Sequence, residues 1–329
     1  MLRQLFGVLV LGVFLAVSAQ ASNRVVVYSA LENEEIEAYM RAARAALPDL
    51  DIQVLRISTG ALAARVKAES RSPQADLIWG TAATALDPLA KEGILEPYRP
   101  RDARRIPARF KSDQDFWYGM TMYIGGVAIN TRELHDLKLP LPTSWKDLTD
   151  PRYRGLVVMP NPAESGTGFV HVNSWLSIFG EKEGWEYMEQ LNSNVRQYTS
   201  SGSAPARLAG SGEAVAGLSL VLSIQSQANQ GFPVQLIFPK EGVGYELEAN
   251  ALVKGGPNPA AAKRFLDWAI SENAMKSYAV MKAGVTMEGI ATSEKLPQLG
   301  DIPLISMDFN KVGETKDAVV REWTRRFAR

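Results

Sequence analysis

Apolar and polar positions along the chain alternate between short β-branched runs and longer stretches with helical spacing. Residues 25–28, Val25-Val26-Val27-Tyr28, predict a short strand. Residues 32–47 then place Ile36, Ala38, Met40, Ala43 and Leu47 at helical spacing, and Pro48-Asp49 breaks the pattern. A strand over 52–57, a helix over 61–70 with Thr59 as N-cap, a strand over 75–79 and a helix through Leu89 continue the alternation. Strands alternating with helices predict a mostly parallel α/β sheet.

The pattern changes near Trp117. Residues 118–123 and 126–130 are extended and punctuated by glycine, which predicts a crossover into a second lobe. A short helix over 144–148 and a loop over 151–155 follow. The second lobe then reads as a strand over 156–159, helices over 169–179, 185–192 and 204–212, and strands over 214–220 and 234–238. Residues 242–249 predict the return crossing, and helices over 260–271, 274–282 and 318–327 complete the chain. The expected fold class is α/β, two lobes joined by two extended crossings. The first lobe takes residues 22–122 and about 245–300, the second 123–244, and residues 301–329 pack on both.

Three polar turns lie at strand ends and lead into helices. They are Ser58-Thr59-Gly60, Glu164-Ser165-Gly166-Thr167-Gly168 and Tyr198-Thr199-Ser200-Ser201-Gly202-Ser203. Glycine lets the backbone turn tightly, a helix N-terminus presents free N–H groups, and the hydroxyls add donors. This chemistry suits a tetrahedral oxyanion, a phosphate or phosphonate, held from several sides. Ligands of open α/β sheets bind beyond the carboxyl ends of the strands, where these turns fall.

Composition narrows the picture. Arg3, an apolar run from Leu5 to Val17 and Ala19-Gln20-Ala21 form a secretory signal peptide over residues 1–21, which predicts export to a bacterial periplasm. The chain has no Cys, hence neither disulfides nor thiolate metal sites. Its 36 basic and 36 acidic side chains form no basic block, which argues against nucleic acid as a partner. Gly-x-Ser-x-Gly is absent, no P-loop Lys follows Gly166-Thr167-Gly168, and the two histidines, His135 and His171, lie in no triad or metal pattern. The expectation is a binding protein without catalytic residues, cofactor or metal. The alternatives in the same fold are phosphate, a phosphate ester, or ferric iron, which favours phenolate, carboxylate and imidazole ligands; a secreted phosphoester hydrolase ranks below them.

At these residues the chain resembles a known family. The resemblance is carried by residues 27–34 (Val27-Tyr28-Ser29-Ala30-Leu31-Glu32-Asn33-Glu34), Ser58-Thr59-Gly60 with Ala63-Ala64-Arg65, and Gln74-Ala75-Asp76-Leu77-Ile78-Trp79-Gly80. It continues through Ser144-Trp145-Lys146-Asp147-Leu148-Thr149, Met159-Pro160-Asn161-Pro162, Ser165-Gly166-Thr167-Gly168-Phe169, residues 198–203 and Pro239-Lys240-Glu241-Gly242. Together these resemble the solute-binding components of bacterial ABC importers in the ferric-ion, thiamine and phosphonate cluster, most of all the 2-aminoethylphosphonate-binding proteins. The resemblance implies a type II periplasmic-binding fold, a monomer that closes on its ligand, and a membrane permease as partner. Ser200 stands where relatives often carry His. Gly244-Tyr245-Glu246-Leu247-Glu248-Ala249 replaces a Gly-Trp-Asp-Leu-Glu-Ala stretch, and Leu220-Val221-Leu222 replaces acidic and aromatic residues. The expected ligand contacts are Ser58, Thr59, Ser165, Gly166, Thr167, Gly168, Ser201, Gly202 and Ser203 for the oxyanion. Leu31, Glu32, Trp79, Tyr245 and Glu246 are expected around the organic part, where an ammonium needs acceptors and an aromatic wall.

Overall fold

The computed structural model describes residues 23–294, 296–307 and 309–327; the leader assigned to residues 1–21 lies outside them. The first elements are β1 (Arg24–Ser29), α1 (Asn33–Ala46), β2 (Asp51–Arg56), α2 (Thr59–Ala68), β3 (Leu77–Ala82), α3 (Ala83–Lys91) and β4 (Leu95–Glu96). Next come β5 (Tyr118–Asn130), α4 (Thr131–Asp136), β6 (Val157–Pro160), α5 (Gly166–Phe179), α6 (Glu181–Asn192), β7 (Val195–Thr199) and α7 (Ala204–Ser211). The chain continues through β8 (Ala216–Leu220), α8 (Val221–Asn229), β9 (Val234–Ile237), β10 (Tyr245–Val253), α9 (Pro259–Ala269), α10 (Glu272–Tyr278) and α11 (Phe309–Phe327).

The strands follow one hydrogen-bonded path, β2-β1-β3-β10-β5-β8-β6-β7, with β4 also on β10 and β9 also on β5. β1 pairs in parallel with β2 and β3, as the β-α alternation requires. The two expected crossings are the long strands β5 and β10, which lie antiparallel against each other from Tyr118 to Ile124 on β5. From Gly125 to Ile129, β5 changes partner to β8. The sheet thus has two halves, each with its own core. The first packs Val27, Leu77, Ile78, Trp79 and Phe265, the second Trp145, Val157, Trp175 and Leu218. Gly125 and Gly126 sit at the change-over because side chains crowd it. A Cβ at Gly125 would stand 3.0 Å from the His171 ring, and one at Gly126 2.8 Å from Leu236.

Several boundaries differ from the periodicity, each for a local reason. α4 forms because the Asn130 side chain accepts the Arg132 and Glu133 N–H groups at 3.0 and 2.9 Å. α8 also forms, where no helix was expected, and buries Val221 and Ile224 together with Ser223 and Gln227. α6 begins at Glu181, following Gly180 at φ +82°, rather than at 185. β8 begins at Ala216 rather than 214. α10 ends at Tyr278, short of 282, and the chain then turns Lys282 inward, where it is 3 % exposed. α11 starts at Phe309 rather than 318. It brings Lys316 to 5.0 Å above the Phe169 ring of one half and Trp323 and Phe327 into the same half's core, while its Gly313 passes Asp87 of the other. Among the described residues no helix is long and apolar enough to cross a membrane.

Candidate functional site

The two halves face each other across a narrow cleft, lined from one side by Glu32, Arg56, Ser58 and Thr59 and from the other by Ser165, Gly166, Thr167 and Gly202. All three polar turns reach it. On the first side, β1 and β2 run in parallel and end together, so the residues that follow them share one rim. Glu32 is the N-cap of α1, and its N–H is accepted by Glu35 Oε2 at 2.9 Å. Arg56, the last residue of β2, donates to Glu32 Oε1 at 2.8 Å and to the Leu31 carbonyl at 3.3 Å. Ser58, not Thr59, is the N-cap of α2; Thr59 is the first helical residue and is buried.

On the second side, Ser165 caps α5 and accepts the Gly168 N–H at 3.4 Å. The glycines here provide close approach. A Cβ on Gly202 would lie 2.2 Å from Thr167 Oγ1, and one on Gly166 2.5 Å from the Tyr123 hydroxyl and 2.9 Å from Thr59 Oγ1. Gly168 instead lets α5 settle on the loop before it, 2.6 Å being left to the Pro160 carbonyl, and lies outside the lining. Ser219 Oγ donates to the Gly202 carbonyl at 2.6 Å, which fixes this turn from behind.

Hydrogen bonds cross directly from half to half. The Gly60 N–H donates to the Glu164 carbonyl at 3.0 Å, Ser203 Oγ to Glu32 Oε2 at 2.9 Å, and Ser226 Oγ to Glu34 Oε2 at 2.9 Å. Ser203 therefore joins the halves rather than lining the cleft. Arg207 supports it at 2.9 Å, and Ser201 lies at 3.0 Å from it, on a neighbouring surface groove.

Behind the cleft lies a buried charge cluster. Lys282 Nζ contacts Glu35 Oε1 at 2.6 Å and Glu248 Oε1 at 2.7 Å, and Thr121 Oγ1 donates to the second Glu248 oxygen. Glu35 and Glu248 both line the cleft. Burial pushes the Glu248 carboxyl up to about 7, against the pull of Lys282. The two acids share one ammonium, so ionisation of both leaves a negative charge uncompensated beside the cleft.

Four sequence candidates for the organic part lie elsewhere. Trp79 is wholly buried among Tyr39, Phe265 and Trp268, with centroids 5.4 to 6.2 Å away, and its indole N–H reaches the Tyr278 hydroxyl at 3.3 Å. A strand buried on both faces carries no polar alternation to tell which side looks at the cleft. Leu31 packs against Gly80, whose missing Cβ would stand 2.5 Å away. Tyr245 meets Phe309 edge-on at 5.5 Å. Glu246 accepts from the Leu247 N–H at 2.9 Å and from Thr84 Oγ1, and burial pushes it up to about 7. Sequence reading missed Glu35, Glu248 and Lys282, because a buried carboxylate and a surface one read alike along a chain. The Arg56 guanidinium, at the rim of the cleft, is tied to Glu32. His171 is buried behind Gly125, and desolvation pushes it down to about 4, so it is neutral at physiological pH. Among the described residues no group of three or more His, Cys, Asp and Glu is arranged to hold a metal ion.

Residues 72–294 match the family described as bacterial extracellular solute-binding protein. The chain is 32% identical over 326 residues to an uncharacterised protein of Haemophilus influenzae, covering 95% of this chain and 93% of that one. It is 28% identical over 237 residues to a probable ABC transporter periplasmic-binding protein, y4fP, of Sinorhizobium fredii, covering 70% of this chain and 65% of that one. The periplasmic binding protein AfuA of Actinobacillus pleuropneumoniae, solved with exogenous fructose-6-phosphate bound, superposes with a TM-score of 0.86 at 28% identity, over 92% of this chain and 98% of AfuA. The chain belongs to the bacterial extracellular solute-binding protein family. It has the type II periplasmic-binding fold, and it is a solute-binding component of an importer, not an enzyme.

Proposed function

We propose that this protein captures a small phosphonate, 2-aminoethylphosphonate, between its two halves in the periplasm and delivers it to the membrane permease of an ABC importer. The observation that carries the proposal is the meeting of hydroxyl-bearing turns at one cleft: Ser58 and Thr59 from α2, Ser165 and Thr167 from α5, and Gly202 before α7. Neutral donors at helix N-termini hold an oxyanion without bringing a buried cation of their own. The acids on the same wall favour a zwitterion. Glu35 and Glu248 both face the cleft and share the single Lys282 ammonium, which leaves carboxyl oxygens there to accept from a ligand ammonium. The halves close over the ligand, and the bonds from Gly60 to Glu164 and from Ser203 to Glu32 hold the closed form. A phosphate ester is the second reading, supported by the fructose-6-phosphate in AfuA. Glu35 and Glu248 would then accept sugar hydroxyls.

Isothermal titration calorimetry separates these readings. Protein unfolded and refolded to strip carried-over ligand is titrated with 2-aminoethylphosphonate, fructose 6-phosphate, phosphate and ferric citrate. Micromolar or tighter binding of the aminophosphonate, with phosphate and ferric citrate silent, is expected. Binding of fructose 6-phosphate alone would replace the aminoethyl specificity and keep the oxyanion turns, and binding of iron alone would overturn both.

A further inference from the structure

The Tyr123 hydroxyl lies at the cleft with nothing to bond to. Tyr123 is 9 % exposed, and its hydroxyl is fully buried with no hydrogen-bond partner among the described residues. Buried hydroxyls are nearly always satisfied, and an orphaned one costs stability. The ring itself is held, packed with Ala82 and Ala85 from the first half and Val170 of α5 from the second. The hydroxyl is therefore aimed rather than loose. It points at the first turn of α5, close enough that a Cβ on Gly166 would lie 2.5 Å from it. Gly166, without a Cβ, lets the phenol and Thr59 Oγ1 come close to the α5 N-terminus, where the cleft lies.

We propose that Tyr123 is a ligand-binding residue whose phenolic O–H donates to an oxygen of the phosphonate seated at the α5 N-terminus. This rests on the oxyanion-binding reading above and extends it to a group from outside the polar turns. Burial and the nearby Glu246 and Glu248 hold the phenol well above its usual range, so it keeps its proton and can only donate to an anion. Its place in the fold gives the bond a second effect. Tyr123 pairs with Glu246 of β10, two residues before β5 passes to β8 at Gly125. A bond from Tyr123 to the oxyanion ties the strand that joins the halves to the helix that holds the ligand. Ligand occupancy is thus felt at the point where the two halves are joined.

The test is Tyr123→Phe, which removes one oxygen and keeps the ring. Stripped wild type and variant are titrated with 2-aminoethylphosphonate and fructose 6-phosphate, and ligand-free thermal melts are recorded beside them. The variant is expected to bind roughly 10- to 100-fold more weakly, the loss of one hydrogen bond to a charged group. The factor should be the same for whichever probes bind wild type, because the phenol reads the oxyanion and not the tail. The ligand-free variant is expected to melt at or above the wild-type temperature, since an unsatisfied buried hydroxyl has gone. Equal affinity in wild type and variant overturns the Tyr123 assignment and leaves the oxyanion reading intact. Weaker binding with a lowered ligand-free melting temperature also overturns it, since the hydroxyl would then be structural. A wild type that binds neither probe overturns both.

Discussion

At the scale of single residues, side chains that hold a ligand stand beside neighbours that hold the fold. Thr167 is buried at the first turn of α5, with its hydroxyl against Gly202 and the cleft. Thr167→Val keeps the shape and removes the donor. It should weaken phosphonate binding by about 1–3 kcal/mol, because an oxyanion lone pair is left dry. Calorimetry reads this directly, and unchanged affinity would remove the α5 turn from the site. Glu246 belongs to the other group. Its carboxyl is raised to about 7 from the ordinary 4.5, mainly by burial, with Thr84, Lys316 and the Leu247 N–H opposing the rise and Asp87 adding to it. In the window from 4.5 to 7 the folded state therefore binds more protons than the unfolded chain, and this group costs stability as pH rises. Glu246→Gln should gain stability relative to wild type between pH 5 and pH 8. Urea unfolding at both values measures the gain, and no change in the difference between the two proteins would contradict the assigned shift. His171 titrates with the opposite sign between about 4 and 6.5, so the comparison must be variant against wild type and not wild type against itself.

At the scale of elements, the helices and strands were largely legible because their signals are local. Val25-Val26-Val27-Tyr28, the spacing of Ile36, Met40 and Ala43, and the Ser-Gly-Thr-Gly run, which caps and opens α5 at Gly166 rather than preceding a helix from 169, each carry their meaning within a few residues. Direction across a buried sheet is not local. Trp79 looked like a wall of the cleft, yet β3 is buried at every position and the indole enters the core on the far side. Trp79→Ala should destabilise the protein by about 3–5 kcal/mol, as aromatic truncations in cores do. Its folded fraction should bind ligand with wild-type affinity; a selective loss of affinity at full stability would return Trp79 to the site. The charge cluster was illegible for a related reason. Glu35, Glu248 and Lys282 lie on α1, on β10 and beyond α10, and only the antiparallel return of β10 brings them together. Gly60 shows the converse, a residue whose place in the sequence was noted and whose reason was not. It was grouped with an oxyanion turn, whereas a Cβ there would lie 2.1 Å from the Ala163 carbonyl across the cleft. Gly60→Ala should leave thermal stability within about 1 kcal/mol, the ordinary propensity change in a helix, and weaken ligand affinity by blocking closure. Small-angle scattering would show that saturating ligand compacts the wild type more than the variant, and equal compaction would contradict this role.

At the scale of the whole molecule, the two halves share one path of strands, and the ligand site exists only where they meet. The α/β alternation and the polar turns were legible because both are written along the sequence, and the motifs from Val27 to Gly242 carried the family resemblance. Which donors reach the same point depends on how β5 and β10 set the halves against each other, and no stretch of sequence states that. The C-terminal helix α11 adds a further link. Lys316 stands over Phe169 in one half and donates to Thr84 in the other at 3.4 Å. The central claim is that one oxyanion is held by turns from both halves. A crystal structure of the stripped protein with 2-aminoethylphosphonate tests it most directly. The account predicts the phosphonate oxygens within hydrogen-bond distance of Thr59, Thr167 and the α5 N-terminal N–H groups, with the ammonium toward Glu35 and Glu248. A phosphonate found in the outer groove beside Arg207, or contacted by one half alone in a closed protein, would contradict it.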